Sequence, residues 1–322
     1  MEKRTFGRTG FEVTAVGLGA WPLGVDRMSY GKVEEETALA TIAAYIDAGG
    51  NFIDTARNYG NSERVLGDYF RAHGGREDVF IATKSSNRDP EGVKAELATS
   101  LELLGTDYVD VYFLHSPPDD ADEMRRLLDV YEGFKREGRI RAIGASIRGP
   151  NVTQETVDLC RQYIREGRTD TLMIIYSIFR QKNAAIFEEA AQNGVALLAR
   201  TVLESGFLTG KYAPGHTFGG TDHRKRWGGE HLEHILEEAR YLAETFVAPP
   251  YESLAQVATR FVLDQKLESG EPAIANLTLG AKSPAQVAQN VQAGELPPLP
   301  DDVMARLKAR YAGKGEAFNT GT

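Results

Sequence analysis

The stretch YVDVYFLHSPPDDADEMRRLLDVYEGFKREGRIRAIGAS, Tyr108 to Ser146, contains one whole unit of the fold. Its first run, Tyr108 to His115, is apolar on both faces and short, which suits a strand covered on two sides. A polar turn follows, then an amphipathic helical pattern from Ala121 to Glu137, closed by Gly138. A second apolar run, Ile140 to Ser146, completes strand, helix, strand. Because each strand is apolar throughout and is joined to the next through a helix, the two strands are predicted to lie parallel.

Moving outward, the same unit repeats in both directions. Strand-like runs at Thr14 to Ala20, Asn51 to Ala56 and Val79 to Lys84 come before it, and runs at Thr171 to Ser177, Val195 to Arg200 and Ala273 to Gly280 come after. Helical patterns fill the gaps: Glu34 to Ala48, Ser62 to His73, Pro90 to Leu104, Thr153 to Glu166, Ala184 to Asn193, Glu252 to Lys266 and Pro284 to Ala293. Gly49, Gly74, Gly105, Gly138, Gly167, Gly194, Gly270 and Gly294 read as helix-closing caps. Eight units predict an α/β fold, a (β/α)8 TIM barrel forming one domain over residues 1–322, with an open doubly wound sheet as the alternative. Three additions decorate it. Arg4 to Val13 reads as a hairpin turning at Thr9 and Gly10, suited to plugging the barrel bottom; a long insertion after strand 7 runs from Leu203 to Pro250 and turns helical from Glu230 to Phe246; a short helix follows Pro300.

Composition narrows the function classes. The 322 residues are 42% hydrophobic and 26% charged, ordinary for a globular protein with a large core. With 37 basic against 46 acidic residues the net charge is −9, which argues against a nucleic-acid partner held through phosphates. A single cysteine, Cys160, excludes an internal disulfide framework and a cysteine-rich metal site, and His231 and His234 lack a further ligand nearby, so no metal is expected. The opening MEKRTFGRTG carries no apolar h-region and no apolar run reaches membrane-spanning length, so the expectation is a cytoplasmic protein with no membrane partner. GLGAWPLG at Gly17 has the wrong spacing for a dinucleotide fingerprint, and GFLTGK at Gly206 is one residue short of a phosphate loop.

In a barrel of this kind the strand C-termini share one face, where residues from different strands converge. Asp54 ends the second strand, with Tyr59 in the loop beyond it; Lys84 ends the third and His115 the fourth. A phenol with an ordinary pKa near 10 moves protons poorly at neutral pH unless a cation is close. Lys84 would supply that cation, Asp54 would hold and balance the ammonium, and His115 would orient a substrate oxygen. Such a set suits reversible protonation of a carbonyl oxygen, the partner step of a hydride transfer. Alone, each residue has a plainer reading as a packed tyrosine, a structural ion pair or a structural histidine.

The chain resembles the aldo-keto reductases over almost its full length, in the blocks GGNFIDTARNYGNSERVLG, FIATKSS, LGTDYVDVYFLHSP, FKREGRIRAIGAS, ESGFLTGKY and LGAKSPAQVAQN. The resemblance implies a nicotinamide dinucleotide lying across the strand ends, with Tyr59 as general acid/base, Lys84 and Asp54 as its tuning pair and His115 orienting the carbonyl. It implies cofactor contacts from Ser146, from Tyr176 as a stacking platform, from Thr201, Leu203, Ser205, Gly206, Leu208 and Lys211 along the pyrophosphate, and from Gly280, Lys282, Ser283, Gln286 and Asn290 around the adenosine end. Lys282 and Ser283 at a helix N-terminus suit a 2′-phosphate, so NADP (NADPH) is expected, with NAD less favoured. The expected function is an NADPH-dependent oxidoreductase interconverting a small-molecule aldehyde or ketone and its alcohol. The alternative is an NADP(H)-binding redox-sensing module with little turnover. Trp21 and Trp227 are expected to wall the substrate pocket with Tyr59 and His115. Ile147 and Met173 stand where the family carries an asparagine and a glutamine against the carboxamide; Arg200 and Arg180 are the expected substitutes for that grip, and the basic stretch His223 to Arg226 the expected lid.

Overall fold

A computed structural model describes residues 1–24, 31–219 and 222–320. The chain opens with an antiparallel pair, β1 (Lys3–Thr5) and β2 (Glu12–Thr14), joined by a short 3-10 turn, with Gly10 left-handed at φ 70°. Eight strands then close a parallel barrel: β3 (Val16–Gly19), β4 (Phe52–Asp54), β5 (Phe80–Ser85), β6 (Val109–His115), β7 (Ile140–Ser146), β8 (Thr171–Ile175), β9 (Ala196–Arg200) and β10 (Asn276–Gly280). Strand β10 pairs with β3 to complete the ring, so the open-sheet alternative is ruled out.

Around the ring lie α1 (Glu35–Asp47), α2 (Ser62–His73), α3 (Pro90–Leu104), α4 (Ala121–Arg136), α5 (Gln154–Glu166), α6 (Phe187–Gln192), α7 (Gly229–Phe246), α8 (Leu254–Leu263), α9 (Pro284–Glu295) and α10 (Asp301–Tyr311). The helix starts follow side-chain chemistry. Asp89, Asp120, Thr153, Ser253 and Ser283 each accept a bond from a backbone N–H of the first turn. Six of the expected caps hold, at Gly49, Gly74, Gly105, Gly138, Gly167 and Gly194, all with φ near +60° to +80°. Two do not. Gly270 sits in a turn several residues beyond α8, and Gly294 lies inside α9, where a Cβ would come within 2.6 Å of the Val16 side chain. That glycine serves close packing of helix on strand.

Side chains alternate across each strand, and the alternation divides the core in two. Phe52, Phe80, Ala82, Val111, Phe113, Ala142, Met173, Ala196 and Leu198 point into the barrel, with Phe6 and Val13 from the hairpin below them. The hairpin does plug the bottom: the Phe6 ring lies 5.2 Å from Phe80 and 6.1 Å from Phe52. Residues of the opposite parity join the larger core between sheet and helices. Inward parity continued to the strand ends brings Asp54 after Phe52, Lys84 after Ala82, His115 after Phe113, Ser146 after Ala142 and Gly144, and Arg200 after Leu198 to the barrel mouth. Among the described residues no helix is long and apolar enough to cross a membrane.

Candidate active site

The loop between β4 and α2 carries Tyr59 and is tied down at several points. Thr55 and Ser62 share a hydroxyl contact of 2.9 Å, Ser62 donates to the Ala20 carbonyl at 3.0 Å, and the Arg57 backbone N–H donates to Lys84 at 3.1 Å. Beneath it the buried carboxylate of Glu63 receives the Thr83 hydroxyl at 2.6 Å and pairs with Arg57. A phenol on so constrained a loop is aimed with little entropy left to lose.

Under the Tyr59 ring lies the ammonium of Lys84, 4.8 Å from its centroid. That ammonium donates to Asp54 Oδ1 at 2.5 Å and to the Thr55 carbonyl at 2.7 Å, with both charged side chains buried. His115 stands edge-on to Tyr59, centroids 6.1 Å apart, and Trp21 lies 6.3 Å away on another side. Tyr59, His115 and Trp21 are each partly open to solvent. The four side chains expected at the strand ends thus form one cluster at the barrel mouth.

Their electrostatics follow from burial and two cations. Withdrawal from water drives the His115 imidazole down to about 3, helped by the positive charges of Lys84 and Arg200, so the ring is neutral at physiological pH. Burial raises the Tyr59 phenol above its ordinary value; Lys84 and Arg200 oppose the rise and Asp54 adds to it. Lys84 is the cation that the sequence places near the phenol to make it more acidic. That pull has the expected sign, but desolvation outweighs it, and the phenol keeps its proton at neutral pH. Burial likewise raises the Asp54 carboxyl, with the Lys84 ammonium holding it back.

The cofactor residues divide more sharply. Ser146 is buried at the end of β7, level in register with His115. Beyond β9 the chain is forced into left-handed backbone at Thr201 (φ 62°), Glu204 (φ 48°), Ser205 (φ 57°) and Gly206 (φ 95°). Three of these are not glycine, a costly arrangement that surrounding contacts must hold. Glu204 supplies that hold: its buried carboxylate pairs with Arg180, whose Nε lies 3.0 Å away, and accepts the Ser177 hydroxyl. Neither Glu204 nor this cluster was anticipated. Arg180 is spent on it, and does not replace the missing carboxamide contacts. Thr201, Leu203, Ser205 and Gly206 stay partly exposed along the loop and Lys211 is exposed, whereas Leu208 is fully buried.

Tyr176 is not at the mouth. One residue past β8, it has outward parity, lies 1% exposed and packs 5.1 Å from Phe187 and 6.0 Å from Phe261 in the helix layer, so no stacking face is left for a cofactor. Inward parity at the neighbouring strand end belongs to Arg200 instead. The alternation Ala196, Leu198, Arg200 was the signal in the sequence that would have found it.

Around the start of α9, Gly280, Lys282, Ser283, Gln286 and Asn290 form one partly exposed patch. Ser283 caps the helix, Gln286 accepts the Lys282 backbone N–H at 2.8 Å, and Asn290 donates to the Gly280 carbonyl at 3.4 Å. Burial and the positive charges of Arg224 and Lys211 lower the Lys282 ammonium, while Asp222, the carboxylate paired with Arg224, acts the other way, which leaves a net positive charge near the start of α9. Positive charge beside a helix N-terminus favours anions in general. Arg224, from the basic stretch expected to act as a lid, is held within the insertion: it pairs with Asp222, donates to the Tyr212 hydroxyl at 2.7 Å and lies 4.3 Å over the Phe218 ring. Gly220 and Thr221 of the insertion lie outside the described residues. His223 packs edge-on to Trp21 at 4.9 Å, and Trp227, 2% exposed, sits behind it against Phe207. The wall facing the pocket is therefore Trp21 with His223, and Trp227 backs it.

The description "Aldo/keto reductase family" belongs to the family model that matches residues 15–312. The chain belongs to the aldo/keto reductase family. Aldo-keto reductase YhdN of Bacillus subtilis is 29% identical over 303 residues, covering 89% of this chain and 87% of that protein. The NADH-specific methylglyoxal reductase of Escherichia coli is 28% identical over 322 residues, covering 91% and 93%. A solved aldo-keto reductase from Bacillus halodurans, in its holo form, superposes with a TM-score of 0.75 at 25% identity over 96% of each chain. As an aldo-keto reductase the protein is an oxidoreductase of a family that reduces carbonyl groups of small molecules with nicotinamide cofactors.

Proposed function

We propose that the protein is an NADPH-dependent reductase of a small aldehyde or ketone, with Tyr59 giving the proton and His115 orienting the carbonyl. The observation that carries this is the stacked arrangement of a buried Asp54–Lys84 pair, a protonated phenol above it and a neutral imidazole edge-on to the phenol.

Each residue's task follows from its surroundings. Neutral His115 donates one N–H to a carbonyl oxygen without adding a charge that would compete with Lys84. Tyr59 holds its proton until the oxygen becomes basic, and then Lys84, a fixed cation beneath the ring, stabilises the phenolate left behind. Asp54 keeps Lys84 in place and balances its charge in the resting site. Trp21 and His223 exclude water from one side. A bound nicotinamide dinucleotide would supply hydride to the carbonyl carbon. Ser146 would take the carboxamide end, the Thr201 to Lys211 loop the pyrophosphate, and Lys282, Ser283, Gln286 and Asn290 the adenosine end. Lys282, Lys211 and Arg224 favour the phosphorylated dinucleotide; the Escherichia coli relative bears the name NADH-specific, and the KM values of a Lys282 variant for NADPH and NADH decide between the two.

A single-turnover measurement tests the proposal. Enzyme pre-mixed with NADPH and then with a panel of aldehydes loses NADPH absorbance in wild type; in Tyr59→Phe the dinucleotide still binds but its oxidation slows roughly 10²- to 10⁴-fold. An unchanged rate in the variant removes Tyr59 from the chemistry. The replaced carboxamide contacts at Ile147 and Met173 favour a second reading, a dinucleotide-binding redox sensor. Tight NADPH binding with no oxidation by any carbonyl would select it.

A further inference from the structure

Charge at the barrel mouth does not balance. Lys84 is matched by Asp54, and Arg180 by Glu204. Arg200, at the end of β9, donates from Nη2 to the Ile147 carbonyl at 2.9 Å and from Nη1 to the Thr201 hydroxyl at 3.4 Å, and neither partner is charged. Among the described residues no carboxylate forms an ion pair with it, and its Nε is buried without an acceptor. Gly149 leaves room for the guanidinium, since a Cβ there would lie 2.7 Å from Nη2. Burial and the like charges of Arg180 and Arg226 work against this cation, Tyr59 and the Asp54 carboxylate already shared with Lys84 support it in part, and its own field acts on Asp54, Tyr59 and His115. An uncompensated guanidinium at such a place is expensive to keep.

Its position gives it a role, resting on the dinucleotide reading above. A ring that passes hydride to a carbonyl held by Tyr59 and His115 has to touch that carbonyl, so it lies in the same positive field. Reduced nicotinamide is neutral, whereas the oxidised ring is a cation. We propose that Arg200 makes the pocket prefer the reduced, neutral nicotinamide over its oxidised, cationic form, and so sets the protein to work as a carbonyl reductase rather than an alcohol dehydrogenase. The preference is a ratio of affinities; the equilibrium between free reactants and products is untouched. Two unit charges about 7 Å apart at an effective dielectric of about 20 repel strongly enough to change affinity about fiftyfold, so an effect of tenfold or so is within reach.

Equilibrium titration without any carbonyl substrate tests it, following quenching of tryptophan fluorescence by NADPH, NADP⁺, NADH and NAD⁺. Wild type is expected to bind the reduced member of its preferred couple at least about tenfold more tightly than the oxidised member. Arg200→Met and Arg200→Gln are expected to shrink that ratio roughly tenfold, while Arg200→Lys keeps it within about threefold of wild type. Equal affinities in wild type overturn the proposal with no variant needed. So does an unchanged ratio in either neutral variant, or equal weakening of both redox forms, which marks a packing role. If wild type binds none of the four dinucleotides, the cofactor reading itself falls; binding without redox preference defeats only the role of Arg200.

Discussion

The two ends of the barrel treat buried charge in opposite ways. At the bottom, Asp110 accepts from Arg76 at 3.1 Å, Arg141 at 2.7 Å and the Ile81 backbone N–H at 2.8 Å. Asp170 accepts from Arg8 at 3.0 Å, Lys135 at 2.7 Å and the Ile143 N–H at 2.9 Å. Every oxygen there is used, and a phenylalanine cluster seals the interior beside them. At the mouth Asp54 has one cation, Arg200 has no counter-ion among the described residues, and the His115 Nδ1 is buried without a partner. Satisfied polar groups tie strands together; groups left short of partners keep their bonding capacity for a ligand.

Breaking the mouth should cost rate, and breaking the bottom should cost stability. The largest effect is expected from Lys84→Met, which removes the cation under Tyr59 and strands buried Asp54: a loss of about a hundredfold or more in single-turnover rate, checked by stopped flow. Asp170→Ala should lower the unfolding free energy by about 2 kcal/mol, because Arg8 and Lys135 are partly solvated and lose less than a fully buried pair would. Its turnover should stay within about twofold of wild type; urea titration beside a rate assay checks both, and a large rate loss would erase the contrast between the ends. Lys282→Ala should raise the KM for NADPH roughly tenfold and leave that for NADH nearly unchanged, as steady-state kinetics would reveal.

The effect furthest from the chemical step concerns pH and acts on stability. His115 titrates near 3 in the folded protein against an ordinary 6.5, so below pH 6.5 the unfolded chain binds a proton that the folded one refuses. Stability therefore falls as pH drops from about 6.5 towards 3, and His115→Gln should flatten that slope when Tm is followed against pH. No inflection of kcat/KM near pH 6.5 is expected from this histidine; finding one that disappears in His115→Gln would mean the ring is charged in the working site.

Sequence periodicity alone located all eight strands, most helix starts, the plugging hairpin and the gathering of Asp54, Lys84, His115 and Tyr59, because continuous apolar runs and capping residues are local signals. Where assignment depended on which way a side chain faces, reading by family position went astray. Family position makes Tyr176 a cofactor platform, yet it lies an odd number of residues from inward-facing Met173, which turns it towards Phe261. Ser177 and Arg180 share the loop after β8 whereas Glu204 lies beyond β9, and only folding brings the carboxylate to the guanidinium. The same holds for the net charge of the mouth. Sequence counts the cations, but whether a given one is neutralised is settled by distances of a few ångströms between strands far apart in the chain, and those distances belong to the tertiary structure.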